Sequence, residues 1–317
     1  MNDITLANFE ADLIQGSVQQ PVLLDIWAPW CGPCKQLGPV LEKLEVAYAG
    51  RFKLAKLNSD DQPEIAAQLS QAFGVRSIPF CVLFLGGQPV DGFVGALPEA
   101  QVRAFLDKHV PSPDELEAEA ELDEAEALMA EGDAGSALAK LQQAVAIDPA
   151  NEVARCDYVK LLLEQGQLEQ AEQAYAPVAA KALVDARIDA LGRWIAAQRA
   201  APSARDSQTL AAATTANKRD FEARFELAQS LFAAGRFTDA MDELLEIVMR
   251  DKAWNQEAAR KTYVAILTLM TKPVPKPSAA DAAKPKGTLE LTGKAGLAAT
   301  ADPVVDQYRR KLSMALF

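Results

Sequence analysis

The chain has one histidine, His109, in 317 residues, and only four cysteines, Cys31, Cys34, Cys81 and Cys156. A lone imidazole leaves no Ser/His/Asp or Cys/His catalytic set to assemble. Four cysteines, two of them isolated, do not make the framework of a secreted disulfide-rich domain. Zinc asks for four ligands, and the two isolated cysteines cannot complete a site with the one close pair. No run approaches the ~18 consecutive apolar residues of a membrane span. Met1-Asn2-Asp3 opens without the basic and apolar segments of a secretory leader. Basic residues are in deficit, 32 Lys and Arg against 44 Asp and Glu, a net charge of −12. That balance argues against nucleic acid, because phosphate binding needs basic clusters. The expectation is a cytoplasmic protein with neither membrane nor nucleic acid as partner. Half the residues are apolar, ample for real cores, and the length favours two domains over one.

What the chain does carry is Trp30-Cys31-Gly32-Pro33-Cys34-Lys35. An apolar run, Val22 to Trp27, precedes it and reads as a buried strand; Leu37, Val40, Leu41 and Leu44 follow at helical spacing. Strand, CxxC, helix suits thiol–disulfide exchange. The first cysteine sits at a helix N-terminus, where unpaired N–H groups and the macrodipole favour a thiolate. The second lies one turn on, within reach to form a disulfide and release a trapped substrate. Asp25, between Leu24 and Ile26, is either a buried carboxylate with a raised pKa or a strand-end residue in solvent. Pro79 opens a strand-like run, Ile78 to Leu85, and must take a boundary position because it has no N–H.

Further stretches carry a resemblance. Asp25 through Lys35, Pro39, Ala55-Lys56-Leu57-Asn58, Gly74-Val75-Arg76-Ser77-Ile78-Pro79 and Val94-Gly95-Ala96-Leu97 together resemble thioredoxin over about the first 108 residues. The resemblance implies a mixed sheet flanked by helices. It also implies Cys31 as the attacking thiol, Cys34 as the resolving one, and Asp25 as acceptor of the Cys34 proton with Lys56 nearby. Pro79 is then the cis-proline, with Trp30, Gly32, Pro33, Ile78 and Gly95 lining the substrate groove. No cofactor or metal is implied beyond the redox-active disulfide. Ser77 and Phe80 stand where thioredoxins often have Gly and Thr, so Phe80 either alters client fit or packs inward. Alternation puts Cys81 on the opposite face from Phe80. It reads as a core residue, with a third redox thiol as the competing reading; Cys156 reads as core, and His109 as a helix-end or linker residue.

After Pro111-Ser112-Pro113-Asp114 the chain turns helical. Gly132, Gly166 and Gly235 interrupt it at spacings of 34 and 69, close to one and two tetratricopeptide periods. Ala137, Ala171 and Ala240 lie five residues beyond those glycines. Glu121, Arg155 and Arg224 occupy slots where tetratricopeptide repeats, which this pattern resembles, usually carry Trp or Leu. The unit around Trp194 has lost its turn glycine. The reading is a thioredoxin-like α/β domain over 1–110 and tetratricopeptide-like helices over 111–270. A Pro/Ala/Lys-rich linker covers 271–301, and an amphipathic helix covers 302–317. On that helix Val304, Tyr308, Leu312 and Ala315 share a face, joined by Val305 and Leu316. It either folds back on the repeats or docks a partner through Tyr308, Arg309, Arg310 and Leu312.

The whole resembles the bacterial chaperedoxins, thioredoxin-domain co-chaperones; Asp91-Gly92-Phe93 and the closing Tyr308-Arg309-Arg310 segment strengthen the likeness. That family implies a holdase that binds unfolding or oxidised client proteins and passes them to the chaperonin. This chain keeps the CxxC pair, so disulfide reduction, with thioredoxin reductase as an available partner, is expected to persist. Ser59 stands where some members carry a client-linking cysteine, which leaves Cys31 to form any mixed disulfide. Two competing functions remain: a substrate-targeted thioredoxin without holdase activity, and a scaffold for one dedicated partner.

Overall fold

The computed structural model describes residues 2–271 and 302–316, which divide into two compact units, 2–113 and 114–271 with 302–316. The linker assigned to 271–301 lies outside the described residues except for Thr271. No helix among the described residues is long and apolar enough to cross a membrane.

The first unit is built on a five-stranded sheet in the order β1-β3-β2-β4-β5. Its strands are β1 (Asn2–Asp3), β2 (Val22–Trp27), β3 (Lys53–Asn58), β4 (Phe80–Leu85) and β5 (Gln88–Val94). β1, β3 and β2 run parallel, while β4 pairs antiparallel with both β2 and β5. β2 is central, so both its faces are covered and its sequence is almost unbroken apolar. Alternation divides it: Val22, Leu24 and Ile26 pack with Leu13, Ile65 and Ala66. Leu23 packs on the other side with Leu37, Leu41 and Leu44 of α2 (Gly32–Ala47) and with Val102 and Leu106 of α4 (Glu99–Asp107). α1 (Gly16–Gln19) continues a helical stretch, Phe9–Gln15, and α3 (Pro63–Phe73) leads toward β4.

Asp91-Gly92-Phe93 has a physical basis in β5. Asp91 accepts hydrogen bonds from Lys108 at 3.0 Å and meets His109 at 2.8 Å. A Cβ on Gly92 would lie 2.7 Å from the Cys81 carbonyl oxygen, so β5 can sit this close only with glycine there. Phe93 stacks edge-on against Phe105 at 5.1 Å. His109, just past α4, thus anchors the helix end to β5.

The second unit is helical: α5 (Pro113–Glu131), α6 (Ala134–Ile147), α7 (Glu152–Glu164), α8 (Leu168–Tyr175), α9 (Ala186–Ala200), α10 (Ser207–Ala216), α11 (Phe221–Ala233), α12 (Phe237–Arg250), α13 (Trp254–Met270) and α14 (Pro303–Leu316). Gly132, Gly166 and Gly235 adopt φ of +87°, +70° and +71° between paired helices, a left-handed turn that a side chain resists. Ala137, Ala171 and Ala240 are fully buried where the helices of each pair close on one another. The α9–α10 connection runs instead through Ala201–Ser203.

The slots lacking the large hydrophobe follow one rule. Each reaches the residue nineteen positions on, across the pair: Glu121 takes the Lys140 ammonium at 2.9 Å, Arg155 donates to the Ala174 carbonyl at 3.2 Å, and Arg224 pairs with Glu243. The two arginines also donate backward, Arg155 to the Pro149 carbonyl and Arg224 to that of Thr214. A buried guanidinium is tolerable because these acceptors replace water.

α14 folds against α12 and α13. Tyr308 and Leu312 are buried with Val305 in the repeat core, so they serve packing and not the partner contact expected of them. Val304 also departs from expectation, being 39% exposed; the inward stripe runs Val305, Tyr308, Leu312, with Ala315 and Leu316 partly covered. The Tyr308 hydroxyl donates to Asp242 at 3.0 Å and Lys311 binds the same carboxylate at 2.9 Å, while the Tyr263 hydroxyl donates to the Tyr308 carbonyl at 2.8 Å. Burying side chains of this size contributes about 2 kcal/mol each, which favours the folded-back state. Arg309 and Arg310 remain exposed.

Candidate active site

β2 ends at Trp27, and the chain turns through Ala28-Pro29-Trp30 into α2. Cys31 is the N-cap of that helix, and its sulfur accepts the Cys34 backbone N–H at 3.2 Å. Pro33 in the first turn loses no hydrogen bond, because N–H groups there have no helical partner. Cys31 and Cys34 form a disulfide with a Cα–Cα distance of 5.3 Å. Both are buried beside Ala28, with Trp27 and Ile78 packed on them. When the disulfide opens, the Cys31 sulfur stays at the positive end of a sixteen-residue helix, where a thiolate is stabilised.

Ile78–Pro79 is a cis peptide placed directly before β4, where the missing N–H disrupts no ladder. The Pro79 carbonyl instead accepts the Gly95 N–H at 2.8 Å, and this brings Gly95, with φ of +89°, to the same edge. Trp30 is 70% exposed, its indole N–H directed at the Asp60 carboxylate at 3.1 Å. Phe80 is buried against Phe73 at 5.5 Å, so it packs inward and offers nothing to a client.

Asp25 is 2% exposed, on the face of β2 that looks toward α2. It is in register with Lys56 of β3 on one side and Cys81 of β4 on the other. Burial pushes its carboxyl up to about 6, against the opposing pull of Lys56 and of the Cys81 thiol, which donates to Oδ1 at 3.7 Å. Lys56 is itself held by Glu42 of α2. Burial and the adjacent Asp25 raise the Cys81 thiol well above its usual value, so it stays protonated and unreactive. Cys156 is buried in the repeat core and raised by desolvation to about 11.

Residues 1–108 match the thioredoxin family model. Thioredoxin 1 of Nostoc sp. is 41% identical over 107 residues, 34% of this chain and 94% of that protein. The chain belongs to the thioredoxin family. The thioredoxin of Haemophilus influenzae is 46% identical over 104 residues, covering 33% of this chain and 92% of that protein. The M-type chloroplastic thioredoxin of Zea mays is 39% identical over 94 residues, 30% of this chain and 54% of its own length. Residues 128–195 and 200–279 match tetratricopeptide-repeat models. The protein is thus a thioredoxin domain fused to tetratricopeptide repeats, and the Cys31–Cys34 pair makes it a thiol–disulfide oxidoreductase.

Three residues around the thioredoxin site escape motif reading. Asp60 faces Trp30 from the turn after β3, Glu42 holds Lys56 from the middle of α2, and Cys81 bonds Asp25. Only Cys81 left a signal, a polarisable residue two positions after the proline in an apolar strand.

Proposed function

We propose that the protein is a chaperedoxin: a disulfide reductase that also holds unfolding clients and passes them to the chaperonin in the cytoplasm. Cys31, as thiolate, attacks one sulfur of a client disulfide, and the other client sulfur leaves and takes up a proton. Cys34 then gives its proton to Asp25, whose ionisation Lys56 favours. The Cys34 thiolate attacks the Cys31 sulfur, the second client thiolate departs, and the protein is left as the Cys31–Cys34 disulfide. Two electrons pass to the client for each disulfide formed, and thioredoxin reductase returns them.

The observation that carries the holding half is the repeat unit itself. It presents a groove of about 760 Å³ in which Phe225, Trp254 and Ala197 meet Glu222 and Gln229. Leu183 and Val184, 95% and 89% exposed, add apolar surface. For the chaperonin contact, Arg309 and Arg310 are the two of the four expected docking residues that remain exposed once Tyr308 and Leu312 are taken by packing.

The test is suppression of aggregation of a chemically unfolded client that has no cysteines, with wild type and with Cys31→Ser/Cys34→Ser. Equal suppression by both is expected. No suppression by either leaves a substrate-targeted thioredoxin. Separately, Cys34→Ser should accumulate covalent client adducts through Cys31 under oxidising conditions, and Arg309→Glu/Arg310→Glu should reduce chaperonin co-purification without unfolding α14.

A further inference from the structure

Lys56, Asp25 and Cys81 are consecutive in-register positions on β3, β2 and β4, and so form one row across the sheet beneath α2. β2 brings only the carboxylate. On one side stands an ammonium already engaged by Glu42; on the other stands a thiol that donates to Asp25. Cys81 is fully buried, so water cannot take over as donor from that side. A Leu or Val in its place would fill the core as well and leave the carboxylate without this donor.

We propose that Cys81 is a positioning residue for the oxidoreductase reaction: its thiol orients the Asp25 carboxylate and sets the pH at which Asp25 takes up a proton. The inference rests on the reading of Asp25 as the acceptor of the Cys34 proton. The sign follows from the chemistry: a donor to the carboxylate favours the charged form, so its removal makes Asp25 protonate at higher pH. The other charged groups facing Asp25 are Lys56 from β3 and Glu42 from α2, opposite in sign and paired with each other. α2 also carries Cys34 on its buried face. A thiol is a weaker donor than an ammonium or a hydroxyl, which suits an acid that must change protonation state during each turnover.

The decisive measurement is a carbon-13 NMR titration of the Asp25 carboxyl in the full-length oxidised protein, assigned by its loss in Asp25→Asn. Cys81→Val is expected to move the midpoint upward by about half a pH unit, and Cys81→Ser, which keeps a donor, to hold it at or below the wild-type position. Cys81→Ala replaces Val if the larger side chain does not fit. The pH dependence of the Cys34 resolving step, followed by single-turnover release of a client thiol, should shift with it. At pH 6 the Val variant should resolve about twofold more slowly. Unmoved midpoints, or midpoints that move alike in Val and Ser, overturn the inference and leave Cys81 a packing residue. A resolving step whose pH dependence survives Asp25→Asn defeats the proton-acceptor reading instead, while the NMR midpoints still decide what Cys81 does to Asp25.

Discussion

Both units of this protein bury charge, and they do it to opposite ends. In the repeats, Arg155 and Arg224 replace a large hydrophobe, and each guanidinium is tied to at least two acceptors. Such a group acts as a bolt between helices. In the thioredoxin unit, Asp25 is buried with a distant ammonium and a weak thiol donor, and its carboxyl is pushed up to about 6. Each arginine ties two guanidinium nitrogens to acceptors and leaves only its Nε without a partner, an architectural use of charge. Asp25 has one weak donor and a raised carboxyl, which suits proton transfer. The difference lies in the neighbours and not in the burial, since all three residues are under a tenth exposed.

The comparison can be broken most forcefully at the disulfide. Cys31→Ser should lower disulfide reductase activity by about a thousandfold or more, since it removes the attacking thiolate, and leave unfolding of the repeat unit unchanged. Next comes Arg224→Ala. It strands Glu243 and the Thr214 carbonyl and opens a void, at a cost of about 3 kcal/mol. By thermal denaturation the repeat transition should fall by roughly 6–12 °C, with the reductase rate at wild-type level. If Arg224→Ala costs nothing, the architectural half of the contrast is wrong.

How much of this was legible in the letters follows the same division. The CxxC, its strand and its helix were readable because local rules suffice: an unbroken apolar run, a proline in the first turn, a 3.6-residue period. Gly132, Gly166 and Gly235 marked the repeat turns because a left-handed backbone admits little else. The substitutions at Arg155 and Arg224 looked like decay of the repeat pattern. Their meaning lay in partners nineteen residues on and in the preceding segment, which depend on how helices pair. The same holds for Asp60, in the turn after β3, for Glu42, two turns along α2 from Cys34, and for Cys81 on β4, whose contacts depend on how the elements pack. On α14 the amphipathic period was plain, but Val304 and Val305 satisfy it almost equally; only contact with α12 and α13 selects Val305. Periodicity also offered Tyr308 to a partner and to the core alike, and the hydroxyl's bond to Asp242 favours the core.

The smaller effects sharpen the contrast through pH. Asp25 is held near 6 in the folded protein against 3.8 in the free side chain, so the folded state binds the proton more tightly than the unfolded one. Stability from this group is therefore complete below the unfolded value and is lost as pH rises through the folded value. Asp25→Asn should stabilise the thioredoxin unit by up to about 3 kcal/mol above pH 7 and by almost nothing near pH 4, measured by denaturant unfolding of the oxidised protein at both. Asp91 has the reverse sign. Hydrogen bonds from Lys108 and His109 hold its carboxyl down at about 2, so its contribution is present above 3.8 and fades as pH falls toward 2. Its side chain is about a third exposed, so solvent screens the pair, and Asp91→Asn should cost less than about 1 kcal/mol at neutral pH. In the same unfolding experiment the two asparagine variants should thus diverge from wild type in opposite directions at pH 7. A common direction would mean that either the burial of Asp25 or the pairing of Asp91 does not set its carboxyl as described.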